Sequence, residues 1–85
     1  MQTVVVQFDQ RHDRYIGRPT YWSNPFKVGR DGTREQVIDK FAEYLAADRE
    51  RLLKIHELSG QRLACHCKPL PCHGDILADI ANLVG

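Results

Sequence analysis

Gln61-Arg62-Leu63-Ala64-Cys65-His66, followed by Cys67-Lys68-Pro69-Leu70-Pro71-Cys72-His73-Gly74-Asp75, decides how this chain is read. The first six residues carry a short apolar run and read as a β-strand. Pro69-Leu70-Pro71 then forces a turn, because two prolines cannot donate to a central ladder. Gly74-Asp75 opens a helix whose buried face is expected to be Ile76, Leu77, Ile80, Leu83 and Val84, and Asp75 in the first turn suits the positive end of the helix dipole. The same stretch holds all three cysteines and two of the four histidines. That is a dense set of soft ligands to find between a strand and a helix.

Working outward, the 60 residues upstream supply the partners for this strand. Thr3-Val4-Val5-Val6-Gln7-Phe8 is β-branched and short, so it reads as a first strand, expected to be buried on both faces because it does not alternate. Residues 9 to 32 have little periodicity and are punctuated by Gly17, Pro19, Asn24-Pro25, Gly29 and Asp31-Gly32. Tyr15-Ile16 is expected to add a short strand and Phe26-Lys27-Val28 another. A loop of this length in a small chain is usually functional. Thr33-Arg34-Glu35-Gln36 fits a capping box. Val37, Phe41 and Leu45 then make one apolar face, predicting a helix from Thr33 to about Ala47. Leu52 and Ile55 renew the stripe up to Ser59-Gly60, predicting a second helix, or a bent continuation, over roughly 48 to 58.

With 85 residues, the chain has room for a single domain, 1–85. Such a domain buries about two-thirds of the surface its unfolded chain exposes, so a structural staple is common at this size. The expected fold is a small α/β domain, β-loop-α-α-β-α, with a short, mostly parallel sheet and flanking helices. A strand–helix–strand path normally makes a right-handed parallel crossover. Both strands would then release their loops at the same carboxyl edge, where ligand sites of open α/β sheets lie. The loop of 9 to 32 would there meet the cysteine loop of 65 to 74.

Composition excludes several classes. Hydrophobic residues make up 42% and charged residues 27%, ordinary values for a folded globular domain. A net charge of +1 offers no overall argument for nucleic acid or an acidic surface. No run approaches a membrane span or a signal peptide, so no membrane partner is expected. An odd cysteine count without an export signal predicts reduced thiols and a cytoplasmic location. Charge is uneven locally: Arg11, Arg14, Arg18, Lys27 and Arg30 stand against Asp13 alone between residues 11 and 30.

Three readings of the cysteine loop compete. In the first, Cys65, Cys67, Cys72 and His73 hold zinc, a known tetrahedral donor set. Strand alternation places Cys65 and Cys67 on one face and His66 on the other. In the second, Cys72 is a nucleophile at a helix N-terminus, where the dipole and a neighbouring imidazole lower a thiol's pKa, with His66 or His73 as base. In the third, the cysteines merely pack. Under any of them, Gly74 and Asp75 at the helix start, with Arg11, Arg14 or Arg18 opposite, would suit an anion such as a phosphate. Trp22 and Asn24 belong to the same loop, and its aromatic residues Tyr15, Tyr21 and Trp22 could stack a base or cover the core. The partner is then an anionic small molecule, a nucleotide or a nucleic-acid phosphate.

Tyr15-Ile16-Gly17-Arg18-Pro19, Trp22-Ser23-Asn24-Pro25-Phe26, Gly32-Thr33-Arg34-Glu35 and the C-x-C-x-P-x-x-C-H-G-D element from Cys65 to Asp75 together resemble a small bacterial and phage family, domain of unknown function 4326. The resemblance spans residues 11 to 82. It implies a stand-alone, phage-encoded intracellular domain, and it carries no established activity. The cysteine-then-helix arrangement is also similar to a second family that places Cys-His-Arg at a helix start, where this chain has Gly74. Three classes of function follow: a zinc-holding domain that recognises an anion, a cysteine-dependent enzyme acting on a nucleotide-like molecule, and a phage accessory protein that binds a host protein.

Overall fold

A computed structural model describes residues 2–84. Three strands form: β1 (Val4–Gln7), β2 (Arg14–Tyr15) and β3 (Arg62–Cys65). They make one sheet in the order β1-β3-β2, and both pairings are parallel. The register sets Val5 beside Leu63, Gln7 beside Cys65 and Tyr15 beside Ala64. Beyond the two residues of β2, the amide of Asp13 donates to Arg62 O at 2.9 Å and that of Ile16 to Ala64 O at 3.0 Å.

Central placement explains why β3 is the buried strand, with Leu63, Ala64 and Cys65 almost wholly out of solvent. β1 corrects an expectation. Its three valines do not lie buried on both faces, since β1 is an edge strand and Val4 is exposed. The β-branched run still specifies a strand, because stiff χ1 angles suit the pleat whether or not both faces are covered.

Helix α1 (Arg34–Ala46) starts on the expected capping box. The Thr33 hydroxyl accepts from the Gln36 amide at 3.2 Å, and Gln36 Oε1 accepts from the Thr33 amide at 2.8 Å. Its buried face is Val37, Phe41 and Leu45. Helix α2 (Arg49–Lys54), capped by the Asp48 carboxylate, tightens into a 3-10 turn over Ile55–Leu58. Ile55 and Leu58 in that turn enter the core. Helix α3 (His73–Val84) closes the chain and packs on β1 and β3, with α1 against it.

Two further expectations give way. Phe26-Lys27-Val28 forms no strand, because its backbone is satisfied locally. The Phe26 amide donates to Asn24 Oδ1 at 2.9 Å, the Lys27 amide to Asp31 Oδ2 at 2.8 Å, and the Asp31 amide back to Lys27 O at 2.8 Å. Leu83 and Val84 are exposed rather than buried. A helix of 12 residues runs about 18 Å, whereas the 4-residue strand beneath it spans about 13 Å. Asn82 meets the start of β1 through paired hydrogen bonds with the Thr3 backbone, at 2.7 and 3.0 Å. Past that point the helix has no sheet to cover.

The buried side of α3 is made of small residues, Gly74, Ala78 and Ala81, with Leu77. Small side chains let the helix approach the sheet closely, and Gly74 is where the approach is tightest. A Cβ there would stand 2.6 Å from Ile16 Cδ1, 3.1 Å from Val5 Cγ1 and 3.3 Å from Cys72 Sγ. Ile16 is fully buried and has nowhere to retreat. Overpacking costs about 1–3 kcal/mol, and the helix-propensity gain of alanine returns at most about 1 kcal/mol. Gly74→Ala should therefore lower unfolding stability by about 1–2 kcal/mol in urea titrations. Asp79→Ala compared with Asp79→Gly, at an exposed position of the same helix, is the control for helix propensity alone.

Candidate metal centre

The parallel ladders carry Cys65 to the carboxyl end of β3, and the loop 66–72 returns the chain to the start of α3 just above it. Local bonds shape that return. The Leu70 amide donates to Cys67 O at 2.9 Å, and Arg34 Nη1 donates to Pro71 O at 3.3 Å. The Asp75 carboxylate accepts from the Cys72 amide at 3.1 Å through Oδ2 and from Lys68 Nζ at 2.5 Å through Oδ1.

The result is a buried cluster. The ligand atoms of Cys65, Cys72 and His73 all lie within 4.8 Å of one another, and each side chain is buried. His73 Nε2 lies 3.0 Å from Ile16 O. A carbonyl only accepts, so Nε2 donates here, and Nδ1 is the ring nitrogen a metal would use. A backbone carbonyl holding the outer ring nitrogen is the usual orienting device for a metal-binding imidazole.

The thiols share protons unequally. The Cys65 thiol is pushed up to about 11, first by donating its hydrogen bond to Cys72 and then by burial. Cys72 is shifted the other way, because its sulfur accepts from Cys65 and from the Gly74 amide, which outweighs burial. Cys67 is raised by its own burial and by the neighbouring Cys65, against the opposing hydrogen bond from Arg34. Its amide also donates to Cys65 Sγ at 3.5 Å. Cys67 borders the cluster and is not within its 4.8 Å group. All three cysteines are free.

Above the cluster opens a cavity of about 450 Å3, which brings together residues from both loops at the carboxyl edge. Cys65, Cys67, Cys72 and His73 line it together with Arg18, Lys27 and Arg34. No carboxylate is among the described lining residues. Arg18 Nη2 donates to Asn24 O and Phe26 O, each at 3.3 Å, and Asn24 Nδ2 donates to Val37 O at 3.1 Å, so Asn24 builds the wall.

The remaining candidates fall elsewhere. Arg14 Nε donates to Gln61 Oε1 at 2.9 Å, and Arg11 O accepts from Arg62 Nε at 2.8 Å, which places both residues at the amino edge of β3. Trp22 is in the core. Gly74 is the packing contact between α3 and the sheet, and Asp75 caps the Cys72 amide that an outside anion would otherwise use. His66 is exposed and stacks on Phe8, with ring centroids 4.3 Å apart, so the imidazole beside the thiols is that of His73. Arg34 and Lys27 were not singled out by sequence reasoning. Arg34 stands inside the quoted Gly32-to-Glu35 string, which was the available signal.

Fold and site define a small α/β domain with a buried Cys-Cys-His cluster under a cationic cavity. The family model described as "Domain of unknown function (DUF4326)" matches residues 4–83, and the chain belongs to that family. Two viral relatives are similar to it. An uncharacterized 12.4 kDa protein from the nrdA-td intergenic region of Enterobacteria phage T4 is 42% identical over 84 residues, covering 93% of this chain and 76% of that protein. Uncharacterized protein R718 of Acanthamoeba polyphaga mimivirus is 28% identical over 93 residues, covering 88% of this chain and 71% of that protein. No solved structure matches significantly. Among the described residues, no helix is long and apolar enough to cross a membrane.

The unequal thiols make a titration prediction for metal-free protein. Thiolate absorbance should rise first below the ordinary thiol value of 9.0, from Cys72, and last near pH 11, from Cys65. Cys72→Ala should abolish the early step and bring the Cys65 step down, since Cys65 loses its acceptor. A single thiol transition near 9 for all three cysteines would refute the shared-proton arrangement.

Proposed function

We propose that this domain holds a zinc ion through Cys65, Cys72 and His73 and uses the cationic cavity above it to bind an anionic ligand, with a phosphate group as the best chemical match. The observation that carries the reading is the convergence of two thiols and one oriented imidazole within 4.8 Å. Tetrahedral zinc with Zn–S bonds near 2.3 Å places its sulfurs about 3.8 Å apart, which a small contraction of this cluster would meet. Thiolate donors favour zinc over hard cations. Three protein ligands would leave a fourth position, and since Cys65, Cys72 and His73 all line the cavity, the ligand itself would complete the sphere. Zinc would also displace the thiol protons of Cys65 and Cys72, so metal and protons compete for the same sulfur pair.

The anion part is supported by Arg18, Lys27 and Arg34 without a facing carboxylate. Arg34 uses Nη1 on the Pro71 carbonyl and has further N–H groups to offer. Three free thiols fit a cytoplasmic setting, that of the host for a phage-encoded member.

A second reading makes Cys72 a nucleophile on a nucleotide-like molecule. It is favoured by the hydrogen bonds that Cys72 Sγ accepts from the Cys65 thiol and the Gly74 amide at the edge of the cavity. Protein purified without metal, alkylated at Cys72 first, would favour it over zinc.

Purified protein should contain about one zinc per chain by elemental analysis. Cys72→Ser or His73→Ala should each lower that content strongly, while Cys67→Ser should retain it. Arg34→Ala should weaken phosphate binding about tenfold at low salt, the scale of one charge-assisted hydrogen bond, with zinc content unchanged. Wild-type protein free of zinc after purification and indifferent to added zinc would overturn the metal reading.

A further inference from the structure

The sheet face turned away from α3 carries a group of rings that neither the metal cluster nor the core uses. Gln7 pairs with Cys65, so the next residues on each strand, Phe8 and His66, come side by side. Their rings stack at 4.3 Å with planes 26° apart. Tyr15, from the strand on the other side of β3, stands edge-on to both, at 5.2 Å from Phe8 and 5.6 Å from His66. His12 adds a fourth ring at 5.8 Å from Phe8. Phe8 is 44% exposed and His66 is exposed as well, so this is an open shelf and not a covered core.

The position of the shelf matters more than its composition. A second cavity of about 290 Å3 lies against it, lined by Gln7, Phe8, Asp9, His66 and Lys68. His66 lines this cavity and also the larger one above the cysteines, where Tyr15 joins it. One imidazole is therefore the wall between an aromatic shelf and a cleft bearing Arg18, Lys27 and Arg34. A ligand that fits both halves has a planar aromatic end and an anionic end. Bases stack on aromatic rings without regard to sequence, because every base presents a π-face.

We propose that Phe8, His66 and Tyr15 form a base-stacking platform, and that the ligand of the cleft is a nucleoside monophosphate whose base lies on the shelf with its phosphate among Arg18, Lys27 and Arg34. The phosphate half of this assignment rests on the anion-binding reading above; the shelf half stands on the ring geometry. Asp9, an acceptor-only carboxylate at the rim, matches the donor edge of guanine, which makes GMP the probe of choice.

Calorimetric titration of the protein as purified with GMP, ribose 5-phosphate and guanosine separates the two halves. GMP should bind at least about tenfold tighter than ribose 5-phosphate, the scale of one base–aromatic stack. Phe8→Leu, which keeps an apolar side chain but removes the ring, should erase that advantage and leave ribose 5-phosphate binding unchanged. His66→Leu should also reduce that advantage, so the result does not hang on one variant, and circular dichroism verifies that both remain folded. Equal binding of GMP and ribose 5-phosphate, insensitive to Phe8→Leu, overturns the platform and leaves the anion site standing. Guanosine binding that depends on Phe8, without any contribution from phosphate, upholds the platform and overturns the anion site. Binding of none of the three probes overturns both.

Discussion

β3 is gripped from both sides by parallel ladders, and the rest of the molecule depends on that grip. On one side β1 runs in register from Val4 beside Arg62 to Gln7 beside Cys65. On the other, β2 and its flanks bond from Asp13 through Ile16. Parallel pairing sends every strand's following loop to the same edge. Cys65, Ile16 and Phe8 thus leave the sheet together, although they are distant in the chain. The carbonyl of Ile16 then orients His73, and His73 closes the cluster with Cys65 and Cys72. An antiparallel β3 would send these groups to opposite ends of the sheet.

Burial sets the chemistry of the cluster. Two thiols and an imidazole sit in a core that also holds Leu63, Leu77 and Phe41, where an unmatched polar group would be costly. The chain meets that cost internally. Cys65 donates to Cys72, the Gly74 amide supports the Cys72 sulfur, and Ile16 O takes the His73 proton. Among the described residues, no buried side-chain nitrogen or oxygen lacks a partner. The start of α3 is satisfied in the same way, with Asp75 on the Cys72 amide.

Legibility was high where information is local and low where it depends on register. The Thr33–Gln36 capping box, the Val37-Phe41-Leu45 face and the cysteine loop are each contained within a short stretch, and each is legible in the sequence. The parallel sheet followed from element order alone. Reading failed where tertiary neighbours decide. Phe26-Lys27-Val28 has strand composition, yet Asn24 and Asp31 claim its amides. Leu83 and Val84 continue the helical stripe, but the sheet beneath them has already ended. Arg14 and Arg18 are equivalent in sequence terms, four residues apart in one basic loop. The strand between them carries Arg14 to Gln61 at the amino edge and Arg18 into the cleft at the carboxyl edge.

By itself, the amino-acid sequence determined the three helical segments, the strands at Val4–Gln7 and Arg62–Cys65, and the concentration of soft ligands between β3 and α3, because propensity, capping and turn chemistry act over a few residues. Only the tertiary structure decided which members of that concentration meet. Cys65, Cys72 and His73 converge, Cys67 stands beside them under Arg34, and His66 turns to the opposite sheet face to stack on Phe8. The physical reason is that strand alternation and the close approach of α3 at Gly74 act on side-chain direction. Direction is a property of packed elements, and spacing along the chain constrains it only in part.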